Sequence, residues 1–170
     1  MENRSEIETI EPIIDKVNYI IDESIIQLKE LSHNLSPHIL TNHGIDPAIS
    51  DFISRIAGNE LNLDYESKLN GRFSNGIETG IYRVVTELIT NTIKHANATH
   101  VSILIFEKDD HIQLHYSDNG CGFDVTSMLK SSSGSGLYNI INRMKAIDAT
   151  YRFESDLGKG FSFYANIKIK

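Results

Sequence analysis

Residues 87–98 read Glu-Leu-Ile-Thr-Asn-Thr-Ile-Lys-His-Ala-Asn-Ala and close a stretch with helical periodicity. That periodicity predicts a helix with one buried face built by Ile77, Ile81, Val84, Val85, Leu88, Ile89 and Thr92, ending near His95. Within it, Glu87, Asn91 and His95 stand at i, i+4 and i+8 and therefore share a polar face. A carboxylate and an amide one turn apart can hold a hydrated Mg²⁺ ion. The alternative is an ordinary solvated helix face.

Two further clusters follow along the chain. The segment Asp118-Asn119-Gly120-Cys121-Gly122-Phe123 comes directly after a predicted strand. Its glycines let the backbone approach a flat ligand, and its aspartate can accept a hydrogen bond from an exocyclic amine. Taken alone, this cluster could equally be a tight turn.

The third cluster, Ser133-Gly134-Ser135-Gly136, precedes a helix predicted from Leu137 to Ile147. Amide groups at a helix N-terminus and the helix dipole suit an anion. The segment lacks the leading strand and the glycine spacing of a Rossmann fingerprint. Together the three clusters supply a metal site, an amine acceptor and a phosphate cradle, which are the parts of a Mg-ATP pocket.

The order of elements predicts an α/β fold. Asp46, followed by Pro47, is the expected N-cap of a short helix that runs to about Ile56 and closes at Gly58. The expected strands are Leu61–Tyr65, Val101–Phe106, Ile112–Tyr116, Tyr151–Glu154 and Phe161–Ile169, with a tight turn at Asp109-Asp110. This order predicts a two-layer sandwich, in which helices cover one face of a mixed, mainly antiparallel sheet.

A long N-terminal helix is expected before this domain. Apolar residues from Ile14 to Leu35 alternate three- and four-residue spacings, which is a heptad seam. The seam favours a dimeric helical bundle, and the alternative is a helix packed on its own domain.

Bulk properties exclude several classes of function. The 170-residue chain carries a net charge of −7, which disfavours nucleic acid as a partner. Cys121 is the single cysteine, so neither an internal disulfide nor a cysteine zinc site can form, and a reducing cytoplasm fits best. No apolar run approaches the roughly 20 residues of a membrane span. We therefore expect a cytoplasmic segment without membrane contact, any membrane anchor of the parent protein lying outside it.

The three clusters resemble, in order, the N, G1 and G2 boxes of the superfamily that unites gyrase, Hsp90, histidine kinases and the mismatch-repair ATPases. Residues 87–98 look like those of the histidine kinases that pair with LuxR-type response regulators. The G2 match continues through Gly134-Ser-Gly136-Leu137-x-Asn139-Ile140-x-x-Arg143, and Gly158-Lys159-Gly160 fits the last hairpin. The resemblance covers about Leu31 to the C-terminus and implies the Bergerat-type ATP-binding fold.

The resemblance also implies roles for single residues. Asp118 would bind the adenine amine, Asn91 would coordinate Mg²⁺, and Glu87 would be the catalytic residue that orders the metal or its waters. The other implied nucleotide contacts are Lys94, His95, Gly120, Gly122, Gly134, Gly136 and Leu137, and residues 124–133 would form the ATP lid. Phe161 departs from the family pattern, which usually has threonine there, so a polar contact near the adenine is lost or moves to Ser162.

The resemblance implies that the chain consists of two parts. Residues 1–45 would be the second helix of a dimerisation and phosphotransfer hairpin, incomplete here, with its linker; residues 46–170 would be the ATP-binding catalytic domain. The stretch around His33 looks like a phosphoacceptor box, but Asn34 stands where an acidic general base should follow the histidine. We therefore expect the acceptor histidine upstream.

The implied protein is a two-component sensor histidine kinase. It would donate the γ-phosphoryl of Mg-ATP to that histidine and then to an aspartate of a LuxR-type response regulator. Its parent would form a homodimer through the N-terminal helix, and this chain alone would show little or no autophosphorylation.

Three alternatives remain open. An anti-sigma-factor serine kinase shares the pocket but would not need the heptad helix or the linker. A non-catalytic docking or dimerisation module should have lost some of the pocket residues. An ATPase of the gyrase or Hsp90 type, whose helix glutamate activates water, would carry a longer lid and further domains.

Overall fold

The computed structural model describes residues 38–56, 61–130 and 135–169. The predicted heptad helix, the stretch around His33, Gly58 and Gly134 lie outside the described residues. In chain order the elements are α1 (His38–His43), α2 (Ile45–Ile56), β1 (Asn62–Lys68), α3 (Asn75–Asn91), β2 (His100–Lys108), β3 (His111–Asp118), α4 (Val125–Lys130), α5 (Ser135–Ala146), β4 (Thr150–Ser155) and β5 (Phe161–Lys168). A π-helical turn, Thr92–Ala96, continues α3. Within these ranges no helix is both long and apolar enough to cross a membrane.

The five strands form one sheet in the order β1-β2-β3-β5-β4. β1 runs parallel to β2, and the other three pairings are antiparallel. The prediction of a mixed, mainly antiparallel sheet is therefore confirmed. The turn between β2 and β3 places Asp109 and Asp110 at positive φ, 50° and 58°. Two such residues suit the twist of a two-residue hairpin.

The core lies between the sheet and the helices. Residues of β3 alternate between half-buried and fully buried positions, as expected for a strand with one face on a core. The predicted face of α3 is confirmed, and its buried members are Ile77, Ile81, Val84, Val85, Leu88 and Ile89. The side chain of Thr92, in the π turn, is buried with them.

The N-terminal helices differ from the prediction in one respect. Gly44, at φ +90°, separates α1 from α2, and α2 begins at Ile45. Asp46 therefore lies inside the first turn, and the prediction that it caps the helix is wrong. Its carboxylate instead accepts a hydrogen bond from the Tyr65 hydroxyl at 2.8 Å. Leu40, which the predicted boundary assigns to the linker, is buried in the same core as α3.

An ion pair between buried Glu78 and half-exposed Arg72 connects α1 with the start of α3. The side chain of Glu78 is 2% exposed and receives two hydrogen bonds from the Arg72 guanidinium, both at 2.7 Å. The same guanidinium donates to the carbonyl oxygens of Leu40 and Thr41, at 3.3 and 3.0 Å. Burial raises the pKa of Glu78, but the Arg72 hydrogen bonds, the Phe73 amide and the Arg72 charge outweigh it, and the pKa lies below its ordinary value.

Replacing Glu78 by Gln should destabilise the domain in a pH-dependent manner. A carboxylate whose pKa is lower in the folded state adds stability above its unfolded pKa, near 4.5, and loses that contribution as pH falls through the folded pKa. Glu78→Gln should therefore lower the melting temperature by several degrees at pH 7, and the difference from wild type should shrink below pH 4.5. Thermal unfolding at a series of pH values measures this.

The matched control is Glu154→Gln. Glu154 also bonds an arginine, Arg152, at 2.7 Å, but both side chains are more than half exposed. Exposed pairs contribute little to stability. Equal losses in the two variants would show that the Glu78 pair has no special role.

Candidate functional site

Asp118 is the last residue of β3 and points to the helix-covered face of the sheet. Its side chain is 9% exposed. Oδ2 accepts a hydrogen bond from the Thr92 hydroxyl at 2.8 Å, and Oδ1 accepts one from the Gly120 amide at 2.9 Å. Because a carboxylate offers about four acceptor positions, Asp118 retains capacity for a donor group on a ligand. This fits the amine of an adenine base.

The loop after Asp118 is fixed to the end of α3 and the start of β2. Asn119 Oδ1 accepts the amides of Thr99 and His100, both at 2.9 Å. The Cys121 amide donates to the Ala96 carbonyl at 2.7 Å. A Cβ on Gly120 would stand 2.5 Å from that same carbonyl oxygen. Gly120 was predicted to let the backbone approach a ligand, and it lets two chain segments approach each other.

The β4–β5 hairpin closes the other side of this loop. Gly122, at φ +60°, would place a Cβ 2.0 Å from the Asp156 carbonyl oxygen. Gly160, at φ +75°, would place one 2.0 Å from the Asp118 carbonyl oxygen. The Gly158 amide donates to the Cys121 carbonyl at 2.6 Å. Only glycine permits these backbone contacts, so the glycines of the hairpin and of the loop fix Asp118 jointly.

The N-terminus of α5 meets the polar face of α3. A Cβ on Gly136 would lie 2.9 Å from Glu87 Oε1 and 3.0 Å from Asn91 Nδ2. The structure therefore brings Glu87, Asn91 and Gly136 together. The Leu137 side chain is buried in the core, so only the backbone of Leu137 is available to a ligand.

Lys94 and His95 lie in the π turn with exposed side chains. The pattern i, i+4, i+8 did not predict this turn, which interrupts the regular helix just after Asn91. Such turns are frequent at functional sites. The carbonyl of His95 accepts a hydrogen bond from the Cys121 thiol at 3.5 Å.

Phe161 occupies the position where the family pattern has threonine. Its ring is 7% exposed and stacks on Phe123, with ring centres 5.5 Å apart and planes at 17°. Phe161 pairs directly with Asp118 across β5 and β3. Ser162, the next residue, lies on the opposite face of the sheet because side chains alternate along a strand. The polar contact near Asp118 has therefore not moved to Ser162.

Two residues near Asp118 are not among the site residues predicted from the sequence. Thr92 bonds Asp118, and the Tyr116 hydroxyl lies 2.7 Å from the Thr92 hydroxyl. Both fit the periodic patterns of a core helix and a core strand, and these patterns predict packing residues. The sequence feature that could have indicated Thr92 is its hydroxyl group, which lies on the predicted buried face directly after Asn91.

The predicted lid contains a short helix, α4, for which no helix is predicted from the sequence. Asp124 caps this helix by accepting the amides of Thr126 and Ser127, at 2.9 and 3.2 Å. At its other end the Leu129 carbonyl accepts a hydrogen bond from the Tyr138 hydroxyl at 2.6 Å. Tyr138 belongs to α5, so the helix is attached to the element that carries Gly136.

Known proteins resemble this chain in sequence. Residues 76–170 match the family described as histidine kinase-, DNA gyrase B-, and HSP90-like ATPase. The sensor histidine kinase ComP of Bacillus subtilis (strain 168) is 30% identical over 168 residues, 96% of this chain and 21% of that protein. The sensor protein VraS of Staphylococcus aureus (strain COL) is 30% identical over 144 residues, 85% of this chain and 40% of that protein. The chain thus spans a fifth to two fifths of these relatives.

Solved structures share the fold. The histidine kinase domain of the Erythrobacter litoralis EL346 blue-light activated histidine kinase superposes with a TM-score of 0.60 at 14% identity, covering 72% of this chain and 58% of that one. The ATP binding domain of PrrB from Mycobacterium tuberculosis superposes with a TM-score of 0.56 at 19% identity, covering 74% and 91%. At these identities the likeness concerns the fold alone.

Two glycines of the β4–β5 hairpin allow the contact at Asp118 to be measured. Gly160→Ala and Gly158→Ala both force alanine into positive φ, at 75° and 78°. Nothing lies within 4 Å of a Cβ on Gly158, whereas Gly160→Ala collides with the Asp118 carbonyl. Chemical denaturation should show that Gly160→Ala costs about 2 kcal/mol more than Gly158→Ala. Equal costs would mean that backbone strain alone governs both positions.

Proposed function

Because the chain belongs to the histidine kinase-, DNA gyrase B-, and HSP90-like ATPase family, we propose that it is the ATP-binding catalytic module of a two-component sensor histidine kinase. One observation supports this most strongly. Asn91 contacts the α5 N-terminus at Gly136, and the next residue, Thr92, bonds Asp118. Two consecutive residues thus serve both ends of the pocket: Asn91 is the amide on the phosphate side, and Thr92 holds Asp118, the acceptor for the base.

The base end of the pocket is Asp118. Its carboxylate, fixed by Thr92 and Gly120, would accept a hydrogen bond from the adenine amine. Guanine presents a carbonyl oxygen at that position, and two acceptors repel each other. The stacked pair Phe123 and Phe161 lies beside the carboxylate and supplies apolar surface that a flat base requires.

The phosphate end is formed by Asn91, Glu87 and the start of α5. The amide groups of the first turn of α5 and its dipole favour phosphate oxygens. Asn91 would coordinate Mg²⁺ through its amide oxygen, and Glu87 would orient waters around the ion. A bound Mg²⁺ ion would neutralise charge that builds up on the phosphate oxygens during transfer.

The module would donate the γ-phosphoryl group to a histidine side chain of the kinase, from which it passes to an aspartate of a LuxR-type response regulator. The relatives named as sensor proteins support this assignment. The protein's part in the transfer is positioning and charge stabilisation. The setting is cytoplasmic, the parent kinase is a homodimer, and this chain alone should show little or no autophosphorylation.

Asp118→Asn tests the base end. The substitution keeps the shape of the side chain but turns one acceptor oxygen into a donor group, which should lower the affinity for ADP plus Mg²⁺ at least tenfold. Calorimetric titration of the 170-residue chain measures this. Asp109→Asn is the matched control, since it removes the same charge in the β2–β3 turn, beyond the other end of β3. Failure of the folded wild type to bind ADP would reject the proposed function.

Gly136→Ala tests the phosphate end. The new methyl group would displace the ends of the Glu87 and Asn91 side chains, which can move without unfolding the domain. Affinity for ADP with Mg²⁺ should fall roughly tenfold, while affinity with a chelator present should change less. The control is Gly76→Ala in α3, where nothing lies within 4 Å of the added group. Unchanged Mg²⁺-dependent binding in Gly136→Ala would show that Asn91 and Glu87 do not take part in binding the nucleotide with Mg²⁺.

A further inference from the structure

A chain of hydroxyl groups ends on the carboxylate of Asp118. The Thr92 hydroxyl lies 2.8 Å from Asp118 Oδ2 and 2.7 Å from the Tyr116 hydroxyl. A carboxylate has no hydrogen to give, so the single hydroxyl hydrogen of Thr92 goes to Asp118. Tyr116 must then donate to Thr92, with the Leu88 carbonyl as a second, longer acceptor at 3.3 Å. The direction of donation is therefore fixed from Tyr116 through Thr92 to Asp118.

Burial keeps the tyrosine in its donor form. The Tyr116 side chain is 1% exposed. Burial raises the pKa of its hydroxyl far above the ordinary value, and the Asp118 charge raises it further. The hydroxyl therefore keeps its hydrogen near neutral pH.

The β5 side of Asp118 offers no hydroxyl. Its cross-strand partner is Phe161, whose ring packs against Phe123 and Phe153. Ser162 faces away from the carboxylate, as described above. The side-chain hydroxyl that bonds Asp118 comes from Thr92, in the π turn after α3, and Tyr116 of β3 bonds Thr92 in turn.

We propose that Thr92 and Tyr116 are positioning residues that orient the Asp118 carboxylate toward the exocyclic amine of the base, in place of a hydroxyl on the hairpin. The inference rests on the proposed nucleotide site. With Oδ2 held by Thr92 and Oδ1 by the Gly120 amide, the carboxylate cannot rotate freely about its Cβ–Cγ bond. The directions of its remaining acceptor positions are then fixed, and acceptors select a donor group such as the amine.

The test compares ADP with purine riboside diphosphate, which is ADP without the 6-amino group. Both are titrated with Mg²⁺ into the wild-type chain and into Thr92→Val, Thr92→Ser and Tyr116→Phe. Wild type should prefer ADP. Thr92→Val keeps the volume of threonine but removes the hydroxyl, and it should lose about tenfold in ADP affinity with little change for purine riboside diphosphate.

The other two variants separate positioning from packing. Thr92→Ser retains the hydroxyl and should keep the preference for ADP. Tyr116→Phe leaves the Thr92–Asp118 hydrogen bond in place but removes the hydroxyl that donates to Thr92. Its affinity for ADP should therefore fall less than that of Thr92→Val. Melting temperatures without nucleotide identify any variant that fails to fold.

The outcomes are distinguishable. A wild type that prefers ADP, together with a Thr92→Val that keeps the same preference, overturns this inference and leaves the proposed function standing. Equal weakening of both nucleotides by Thr92→Val also overturns it, since that indicates a packing role. A wild type that binds neither nucleotide rejects the proposed function and the inference together.

Discussion

The contact between the backbone of Gly160 and the carbonyl of Asp118 is the constraint on which the rest of the site depends. It brings β5 so close to the end of β3 that any side chain at Gly160 would overlap the oxygen. The loop after Asp118 is then held on one side by the hairpin and on the other by the carbonyl of Ala96. Asp118 thereby has a fixed backbone as well as a fixed carboxylate, and a fixed acceptor is what the proposed base site requires.

Helix α3 connects the surroundings of Asp118 with the remainder of the domain. Near its first turn Glu78 is held by Arg72, which also binds the carbonyl groups of α1. Near its last turn Asn91 faces α5, and in the following π turn Thr92 reaches Asp118. A shift of α3 along its axis would therefore disturb the proposed base end and the proposed phosphate end together.

Sequence periodicity predicted the parts of the fold that depend on burial. The alternation in β3 and the apolar stripe of α3 are direct consequences of packing one face on a core, so both could be read from the residues. The start of α2 could not, because the choice between Gly44 and Asp46 depends on Tyr65, which binds the aspartate from a distant strand. The π turn likewise packs against the loop through Ala96 and Gly120, a contact that periodicity within the helix does not encode.

The site shows the same division between local and long-range information. Asp118 and the glycines could be named from the sequence because their chemistry is unusual for a strand or a helix. Thr92 and Tyr116 resemble core residues at every local level, and their proposed role depends on the side chain that faces them. Phe161 explains why such a role is needed. A buried carboxylate requires hydrogen-bond donors, and an aromatic ring on β5 supplies none. The donors are the loop amide of Gly120 and the Thr92 hydroxyl in the π turn after α3, which leaves the remaining acceptor positions of Asp118 to a ligand.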